Sequence, residues 1–259
     1  MLKVRVIPTM LLKDVGLVKG ESFNSWRRVG TAMPAVKVYN TRQVDELMLM
    51  DITATEDQRE PDYELVEELA QETFVPFTVG GGITNIEQIR RLLKAGADKV
   101  SINSAAYENP QLIREAAERF GRQCIVVSID ARKEDDGCYR CYRRSGKQQT
   151  TYTPGEWAAQ MEEMGAGEIL ITSIERDGTL QGYDLELIRE VTTAVHKIPV
   201  IASGGAGEYE DFRLALVEGC ATAVAAASMF HFTQQTPMEA KNYLAKCGIP
   251  VRNSIVQWG

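Results

Sequence analysis

The amino-acid sequence predicts an α/β protein, a (β/α)8 barrel in which eight parallel strands alternate with helices. Three observations favour this fold: eight short apolar runs, amphipathic segments between most of those runs, and an internal repeat. A length of 259 residues is typical of one such barrel, and no linker composition divides the chain. We therefore expect residues 1–259 to form a single barrel domain.

The eight apolar runs lack polar alternation, which is typical of strands buried on both faces. In chain order they are VRVIPT (4–9), ELMLMDI (46–52), VPFTVG (75–80), DKVSIN (98–103), CIVVSID (124–130), EILITS (168–173), IPVIAS (198–203) and TAVAAAS (222–228). We expect these runs to be the first to the eighth strand of the barrel.

Amphipathic helix patterns lie between most of the runs. They cover DYELVEELAQET (62–73), NIEQIRRLLKAGA (85–97), NPQLIREAAERFG (109–121) and DLELIREVTTAVH (184–196). Asn109-Pro110 and Thr153-Pro154 are typical of helix starts, because proline is tolerated in the first turn of a helix.

Two long segments repeat at an offset of about 120 residues, which is too long for a solenoid repeat. Residues 75–106 and 198–230 share one order of elements: a strand, a glycine-rich turn, a helix, a second strand and a turn of small residues. Any two βαβ units look somewhat alike, but here the glycines and their flanking strands coincide together. The repeat favours a TIM barrel built from two fused half-barrels.

Composition excludes several classes of partner. The formal charge is −7, with no local run of Lys or Arg, so we expect neither a nucleic-acid partner nor an anionic membrane surface. No apolar run reaches the roughly 20 residues that span a bilayer. The first residues lack the pattern of a signal peptide, and the five cysteines are an odd number, so we expect reduced thiols in the cytoplasm.

Metal binding is not expected. The CYRC motif (138–141) is a single CxxC within a hairpin-like insert, and it supplies only two of the four ligands of a structural zinc site. No other motif in the sequence indicates a metal or a cofactor, so we predict none.

The repeat predicts two phosphate-binding turns on opposite sides of the barrel mouth. Glycine lets backbone N–H groups approach an anion, and the following helix adds partial positive charge. The first cradle is the turn 80–82 with Asn103 and Ser104, and the second cradle is the turn 203–207 with Ala227 and Ser228. A lone glycine turn is most often only a turn, but a symmetric pair favours a ligand with a phosphate at each end.

Three carboxylates follow strands at the predicted mouth. Asp51 ends the second strand, Asp130 ends the fifth, and Asp177 follows the sixth. Any one of them could instead cap the next helix. Asp130 is the best candidate for a general acid or base, because its apolar strand delivers it to the barrel centre. The corresponding residue of the first strand is Leu11, which cannot take the complementary role.

Nine stretches along the chain carry a family resemblance. They are VKG (18–20), DELMLMDITAT (45–55), TVGGGI (78–83), GADKVSIN (96–103), QCIVVSIDA (123–131), GAGEILITSIERDGT (165–179), GYDLELI (182–188), IPVIASGGAG (198–207) and AASMFHF (226–232). The chain resembles the HisF-type cyclase subunit of imidazole glycerol phosphate synthase over nearly its whole length. The resemblance implies that ammonia from a separate glutaminase passes through the barrel to a bisphosphate ribonucleotide at the mouth. Cleavage and ring closure there give imidazole glycerol phosphate and an aminoimidazole carboxamide ribotide.

The resemblance also implies roles for individual residues. The family's catalytic aspartates end the first and fifth strands, so Asp130 matches the second of them while Leu11 stands in place of the first. Phosphate or substrate binding carries over to Lys19, Gly82, Asn103, Ser104, Asp177, Gly178, Gly204, Gly205, Ala227 and Ser228, with Lys19 in a mobile loop after the first strand. We add Asp51 to this set from its place at a strand end.

Residues at the opposite end of the barrel match the family's ammonia gate and its glutaminase interface. The gate matches are Arg5, Glu46, Lys99 and Glu168, for which a purely structural salt-bridge cluster is the alternative. Asp98 and Gln123 match positions that meet the glutaminase.

The opening of the chain departs from the family. Besides Leu11, Val15-Gly16 replaces the usual Gly-Arg, and Asp14 is not expected to substitute for the missing aspartate. The stretch IPTMLLKD (7–14) resembles a HisF-like branch associated with bacterial surface polysaccharides. With a HisH-like glutaminase, that branch is thought to supply ammonia to a sugar amidotransferase, and this is our leading hypothesis. Two alternatives stay open: an authentic histidine-pathway cyclase, and a non-catalytic scaffold that activates the glutaminase and conducts ammonia.

Overall fold

The computed structural model describes residues 3–14 and 16–252. Within these residues the strands are β1 (Arg5–Lys13), β2 (Gly16–Glu21), β3 (Asn24–Gly30), β4 (Leu47–Asp51), β5 (Phe77–Gly80), β6 (Lys99–Ile102), β7 (Ile125–Lys133), β8 (Tyr139–Arg143), β9 (Gln148–Gln149), β10 (Glu168–Ser173), β11 (Val200–Ser203) and β12 (Ala223–Ala226). The helices are α1 (Ala32–Thr41), α2 (Tyr63–Gln71), α3 (Ile86–Lys94), α4 (Ser104–Glu108), α5 (Gln111–Phe120), α6 (Pro154–Met164), α7 (Leu185–Ala194), α8 (Tyr209–Val217), α9 (Ser228–Phe232) and α10 (Pro237–Lys246).

Eight of these strands form a closed parallel barrel, which confirms the predicted TIM-barrel fold. Their order around the barrel is β1, β4, β5, β6, β7, β10, β11 and β12, and β12 pairs with β1 to close the circle. Each predicted apolar run overlaps one of these strands, although β1 and β7 continue beyond their runs to Lys13 and Lys133. All eight pairings are parallel, so the carboxyl ends of the strands meet at one end of the barrel.

The apolar character of the strands on both faces has a direct structural reason. Along β1, Val6 packs outward against the helix layer, whereas Ile7 points into the barrel. The interior cluster draws one or two residues from each of several strands: Ile7, Met48, Val126, Leu170, Ile201, Ala223 and Ala225. Both faces of a strand are therefore removed from water, which leaves no face for polar alternation.

The first strand of each half-barrel continues into an antiparallel hairpin over the mouth. β1 pairs with β2, and β2 pairs with β3. β7 pairs with β8, and β8 pairs with β9. The hairpin-like pattern predicted for the second insert is therefore present. The segment after the first strand is not a loop as expected, because β2 lies between two partners and buries Leu17 and Val18.

The predicted helix starts agree with the structure to within one residue. Thr153 caps α6 through a capping box with Glu156, and Pro154 is the first helical residue. Pro110 precedes α5 rather than lying inside it, because α5 begins at Gln111. None of the helices described here is both long and apolar enough to cross a membrane.

A buried ion pair fixes the last helix to the amino-terminal end of the barrel. The Lys241 Nζ atom of α10 lies 3.1 Å from Asp45 Oδ1 and donates to the Gln43 carbonyl at 2.7 Å. The second oxygen of Asp45 accepts the Val6 N–H at 3.0 Å. Both charged side chains are buried, so each depends on the other for its neutralising charge.

Replacing Lys241 by alanine is expected to lower the free energy of unfolding by about 3 kcal/mol, because Asp45 would stay buried without its cation. Urea unfolding of the wild type and the variant measures this difference. Arg189→Ala is the matched control, since Arg189 pairs with Glu218 at the exposed surface, and we expect a loss below about 1 kcal/mol. Equal losses in the two variants would contradict the assignment.

Candidate functional site

A cavity of about 440 Å³ lies at the carboxyl ends of the barrel strands and brings together most of the predicted site residues. From the predicted set, it is lined by Asp51, Gly82, Asn103, Ser104, Asp130, Asp177, Gly178, Gly204, Gly205, Ala227 and Ser228, and Leu11 also lines it. Lys19 does not line this cavity and is buried behind it.

The first cradle depends on the backbone shape of its glycines. Gly82 has a φ of +71°, and a Cβ atom there would lie 2.6 Å from the Arg59 carbonyl oxygen. Only glycine fits that close approach without strain. The Gly82 N–H makes a long hydrogen bond of 3.4 Å to Thr55 Oγ1. An anion in the cavity would therefore displace only a weak partner from this amide.

The second cradle has the same construction in the other half of the barrel. Gly205 has a φ of +114°, and a Cβ atom there would lie 2.2 Å from the Gly182 carbonyl oxygen. The Gly182 N–H donates to the Gly205 carbonyl at 2.9 Å and fixes this turn. Ala227 and Ser228 follow β12 at the same rim of the cavity. The two cradles thus face one cavity from equivalent positions in the repeat.

Asp130 is in an environment suited to proton transfer. Its Oδ2 atom accepts a hydrogen bond from Asn103 Nδ2 at 3.0 Å. Burial raises the pKa of Asp130 to about 7, and the charge of Asp177 acts in the same direction. A carboxyl group that titrates near neutral pH is able to give or take a proton in a reaction at that pH.

The buried Lys19 and the half-buried Asp177 form a second pair of titratable groups. Lys19 lies in β2, and its Nζ atom donates to the Thr9 carbonyl at 3.0 Å. Burial lowers the pKa of Lys19, against the opposing effect of the Asp177 carboxylate, and burial raises the pKa of Asp177. The Asp177 N–H and carbonyl are already bonded to Ser173 and Ser22. Only the carboxylate of Asp177 is therefore available to the cavity.

Leu11 contributes to an apolar wall of the cavity. It lies in register with Met50 of β4 and Val18 of β2. Phe23, Trp26 and Ile52 line the cavity together with Leu11 and Met50. The mouth therefore combines an apolar lining from β1, β4 and the first hairpin with the carboxylates of Asp130 and Asp177.

Asp51 closes a local turn. One carboxylate oxygen accepts the N–H groups of Thr53 and Ala54, each at 3.0 Å. The other lies 3.2 Å from Arg59 Nη2. Asp51 therefore stabilises this turn and does not cap the next helix, because α2 begins at Tyr63 and is capped by Asp62. The Asp51 side chain also lines the cavity.

Sequence reasoning missed two arginines that line the cavity, Arg59 and Arg144. Arg144 lies in the turn between β8 and β9, within the insert recognised as a hairpin. A basic residue at a hairpin tip beside a phosphate-binding turn would have been a usable signal, once the hairpin was predicted to fold over the mouth.

The four predicted gate residues form a closed ring of ion pairs at the opposite end of the barrel. Arg5 Nη1 lies 2.7 Å from Glu46 and 2.9 Å from Glu168. Lys99 Nζ lies 2.9 Å from Glu46 and 3.1 Å from Glu168. Burial opposes the charge of Arg5, but the two glutamates outweigh it and raise its pKa. The geometry fits both a structural cluster and a gate.

The two predicted interface residues lie at the same end as this ring. Asp98 is exposed, and its carboxylate accepts the Phe77 N–H at 2.8 Å. Gln123 is exposed just before β7. Among the residues that the structure describes, no three His, Cys, Asp or Glu side chains are grouped to hold a metal ion. In the CxxC motif, Cys138 is exposed while Cys141 is buried.

Comparison with known proteins assigns the family. A family model described as "Histidine biosynthesis protein" matches residues 5–236. The chain belongs to this histidine biosynthesis protein family. It is also 47% identical over 255 residues to a protein named imidazole glycerol phosphate synthase subunit HisF from Trichormus variabilis (strain ATCC 29413 / PCC 7937), with 97% of this chain and 99% of that relative covered. The family resemblance found in the sequence motifs is therefore confirmed.

The raised pKa of Asp130 predicts how the Asp130→Asn variant responds to pH. Between about pH 4 and pH 7, Asp130 keeps its proton in the folded chain but loses it on unfolding, so the contribution of this group to the stability of the wild type falls as pH rises. Asparagine does not titrate, and its side-chain oxygen still accepts from Asn103. We therefore expect the variant to gain stability relative to the wild type as pH rises from 4 to 8.

Urea unfolding of both proteins at several pH values measures this difference. Asp135→Asn is the control, because Asp135 is an exposed carboxylate in the second hairpin. A difference between Asp130→Asn and wild type that stays constant across this pH range would contradict the burial argument.

Proposed function

We propose that this chain is the HisF-like synthase subunit of a glutamine amidotransferase in surface-polysaccharide biosynthesis. It receives ammonia from a HisH-like glutaminase and channels it through the barrel, for amidation of a nucleotide-linked sugar in lipopolysaccharide or O-antigen biosynthesis. The observation that carries this proposal is Leu11, which lines the cavity together with Asp130 and the residues of both cradles.

Ammonia entry is supported by the ring of ion pairs and by the polar groups above it. Thr78 Oγ1 donates to Glu46 inside the barrel at 2.8 Å. Farther along, Ser101 and Thr9 are buried, and their hydroxyl oxygens have no hydrogen-bond partner among the described residues. Unpaired polar groups in a barrel interior suit the passage of a small polar molecule, because it would complete their hydrogen bonds.

Loss of the strand-one carboxylate weighs against the cyclase reaction. A positioned acid or base contributes about 10²–10⁴ to a rate, and leucine neither gives nor takes a proton. Asp14 does not replace it, because Asp14 is exposed at the end of β1 and does not line the large cavity. It lines a separate, smaller pocket with Trp26 and Arg28.

Two alternatives stay open, and one of them has specific support. The first is an authentic imidazole glycerol phosphate synthase cyclase, favoured by the 47% identity to a relative of that name and by the buried Asp130. The second is a non-catalytic scaffold that activates the glutaminase and conducts ammonia. The two cradles weigh against a pure scaffold, since a scaffold needs no ligand-binding cavity.

The decisive experiment measures turnover of the histidine-pathway bisphosphate ribonucleotide in excess ammonium salt, which bypasses the glutaminase. We expect no measurable turnover by the wild type and detectable turnover by Leu11→Asp, because the variant restores a second carboxylate opposite Asp130. Leu11→Asn is the matched control, with nearly the same shape and no titratable group. Robust turnover by the wild type would overturn the sugar-amidation proposal in favour of the histidine-pathway alternative.

The glutaminase partner is tested at the other end of the barrel. Asp98→Lys reverses an exposed charge beside the ring, and we expect binding of the HisH-like glutaminase to weaken by about tenfold. Isothermal titration calorimetry measures the affinity. Asp135→Lys makes the same charge change at the opposite end and should leave the affinity unaltered, so equal weakening in both variants would contradict docking at this face.

A further inference from the structure

The charged side chains that line the cavity at the mouth differ between its two sides. Among the described residues that line it, Arg59 and Arg144 are the only lysines or arginines. Both lie beside the first cradle, whereas the second cradle has no such neighbour in the lining. The carboxylates of Asp51, Glu60 and Glu108 line the same side, so the first cradle differs from the second in offering guanidinium donors and not in a net positive charge. Arg176 lies against Gly205 of the second cradle but does not line the cavity.

Backbone contacts hold both arginines against the first cradle. The carbonyl of Arg59 packs on Gly82, where a Cβ atom would lie 2.6 Å from it. The N–H of Arg144 donates to the Ser104 hydroxyl at 3.0 Å. The neighbouring Ser145 donates its hydroxyl to the Ile52 carbonyl at 2.8 Å, which fastens the hairpin tip across the mouth. The cradle is thus flanked by one arginine from the loop after β4 and by one from the second hairpin. The guanidinium of Arg59 is already paired with Asp51 and Asp57, so Arg144 is the arginine that a ligand would meet.

The positive charge of Arg144 is incompletely neutralised. Its Nη2 atom lies 3.5 Å from Glu108 Oε1, and Arg143 Nη1 lies 3.3 Å from the same oxygen. Two guanidinium groups therefore share one carboxylate. The Arg144 side chain is 55% exposed, so the contact is weak and an anion in the cavity would compete for this guanidinium.

We propose that the first cradle, together with Arg144, binds a diphosphate group, while the second cradle binds at most a single phosphate. Glycine amides suit one phosphoryl group. A second, adjacent phosphoryl group needs further donors, and guanidinium groups bind phosphate through two parallel hydrogen bonds. The inference rests on the proposed function only in assuming that this cavity binds a phosphorylated ligand.

A diphosphate is the linkage of many nucleotide-linked sugars, and it also occurs as free pyrophosphate. Calorimetric titration of the full chain with orthophosphate, pyrophosphate and UDP-N-acetylglucosamine distinguishes these two sources of diphosphate. All titrations use one fixed ionic strength, because salt screens the charges. We expect pyrophosphate to bind about tenfold more tightly than orthophosphate, as one added charge-assisted contact implies. Displacement of pyrophosphate by UDP-N-acetylglucosamine would assign the site to a nucleoside-diphosphate sugar. Pyrophosphate binding without displacement would support the diphosphate site and assign it to the free anion.

Variants of the hairpin test the role of the arginine itself. Arg144→Gln should lose most of the preference for pyrophosphate while orthophosphate binding changes by less than about twofold, and Arg144→Lys should recover part of it. Arg140→Gln is the matched control, because Arg140 lies on the same hairpin outside the cavity lining. Equal affinities for the two anions, or an equal loss of both in Arg144→Gln, would overturn the inference.

These outcomes are independent of the ammonia experiment. Orthophosphate binding without a pyrophosphate preference would reject the diphosphate site and leave the proposed function standing. Binding of neither anion would reject the phosphate cradles as well. Turnover of the bisphosphate ribonucleotide by the wild type would reject sugar amidation and would not affect the result of the diphosphate titration.

Discussion

The pairing between β7 and β10, two neighbouring strands of the second half-barrel, sets the geometry at both ends of the molecule. Six residue pairs form it, from Glu168 beside Val126 to Ser173 beside Ala131. At the mouth, this register sets Thr172 beside Asp130. At the opposite end, the same strand β10 carries Glu168 into contact with Arg5 and Lys99. A shift of the register would therefore misplace the cavity and the ion-pair ring together.

The strands were predictable from sequence because their burial is extreme. Both faces of each barrel strand are covered, so every strand appears as an uninterrupted apolar run that local reading detects. β2 and β3 were not predicted, since their pairing depends on β1 and on contacts with distant loops. Ser22, for example, donates its N–H to the Asp177 carbonyl, which lies in the other half of the chain. The local sequence does not predict such a long-range contact.

Some site residues were likewise predictable from the local sequence, and others were not. Glycines at 82 and 205 were predictable, because close backbone approaches demand glycine wherever they occur. Asp130 was predictable from its position at the end of a buried strand. Arg144 was not, because the hairpin that carries it is fixed by a long-range hydrogen bond to Ser104. Arg59 was not either, because it lies in an irregular loop after β4 that has no sequence pattern of its own. The local role of Asp51 also became visible only when its hydrogen-bond partners were known.

The contact between the two hairpins has a consequence for how fast ligands exchange. Phe23 of the first hairpin packs against Gly146 of the second, where a Cβ atom would lie 2.9 Å from the phenylalanine ring. Because Gly146 has no side chain, the ring lies directly on the backbone of the opposite hairpin. Phe23 and Ser145 both line the cavity, so separation of these two turns would widen its mouth and speed the exchange of a bound molecule. The two half-barrels thus each contribute one hairpin to a contact at the mouth of the cavity.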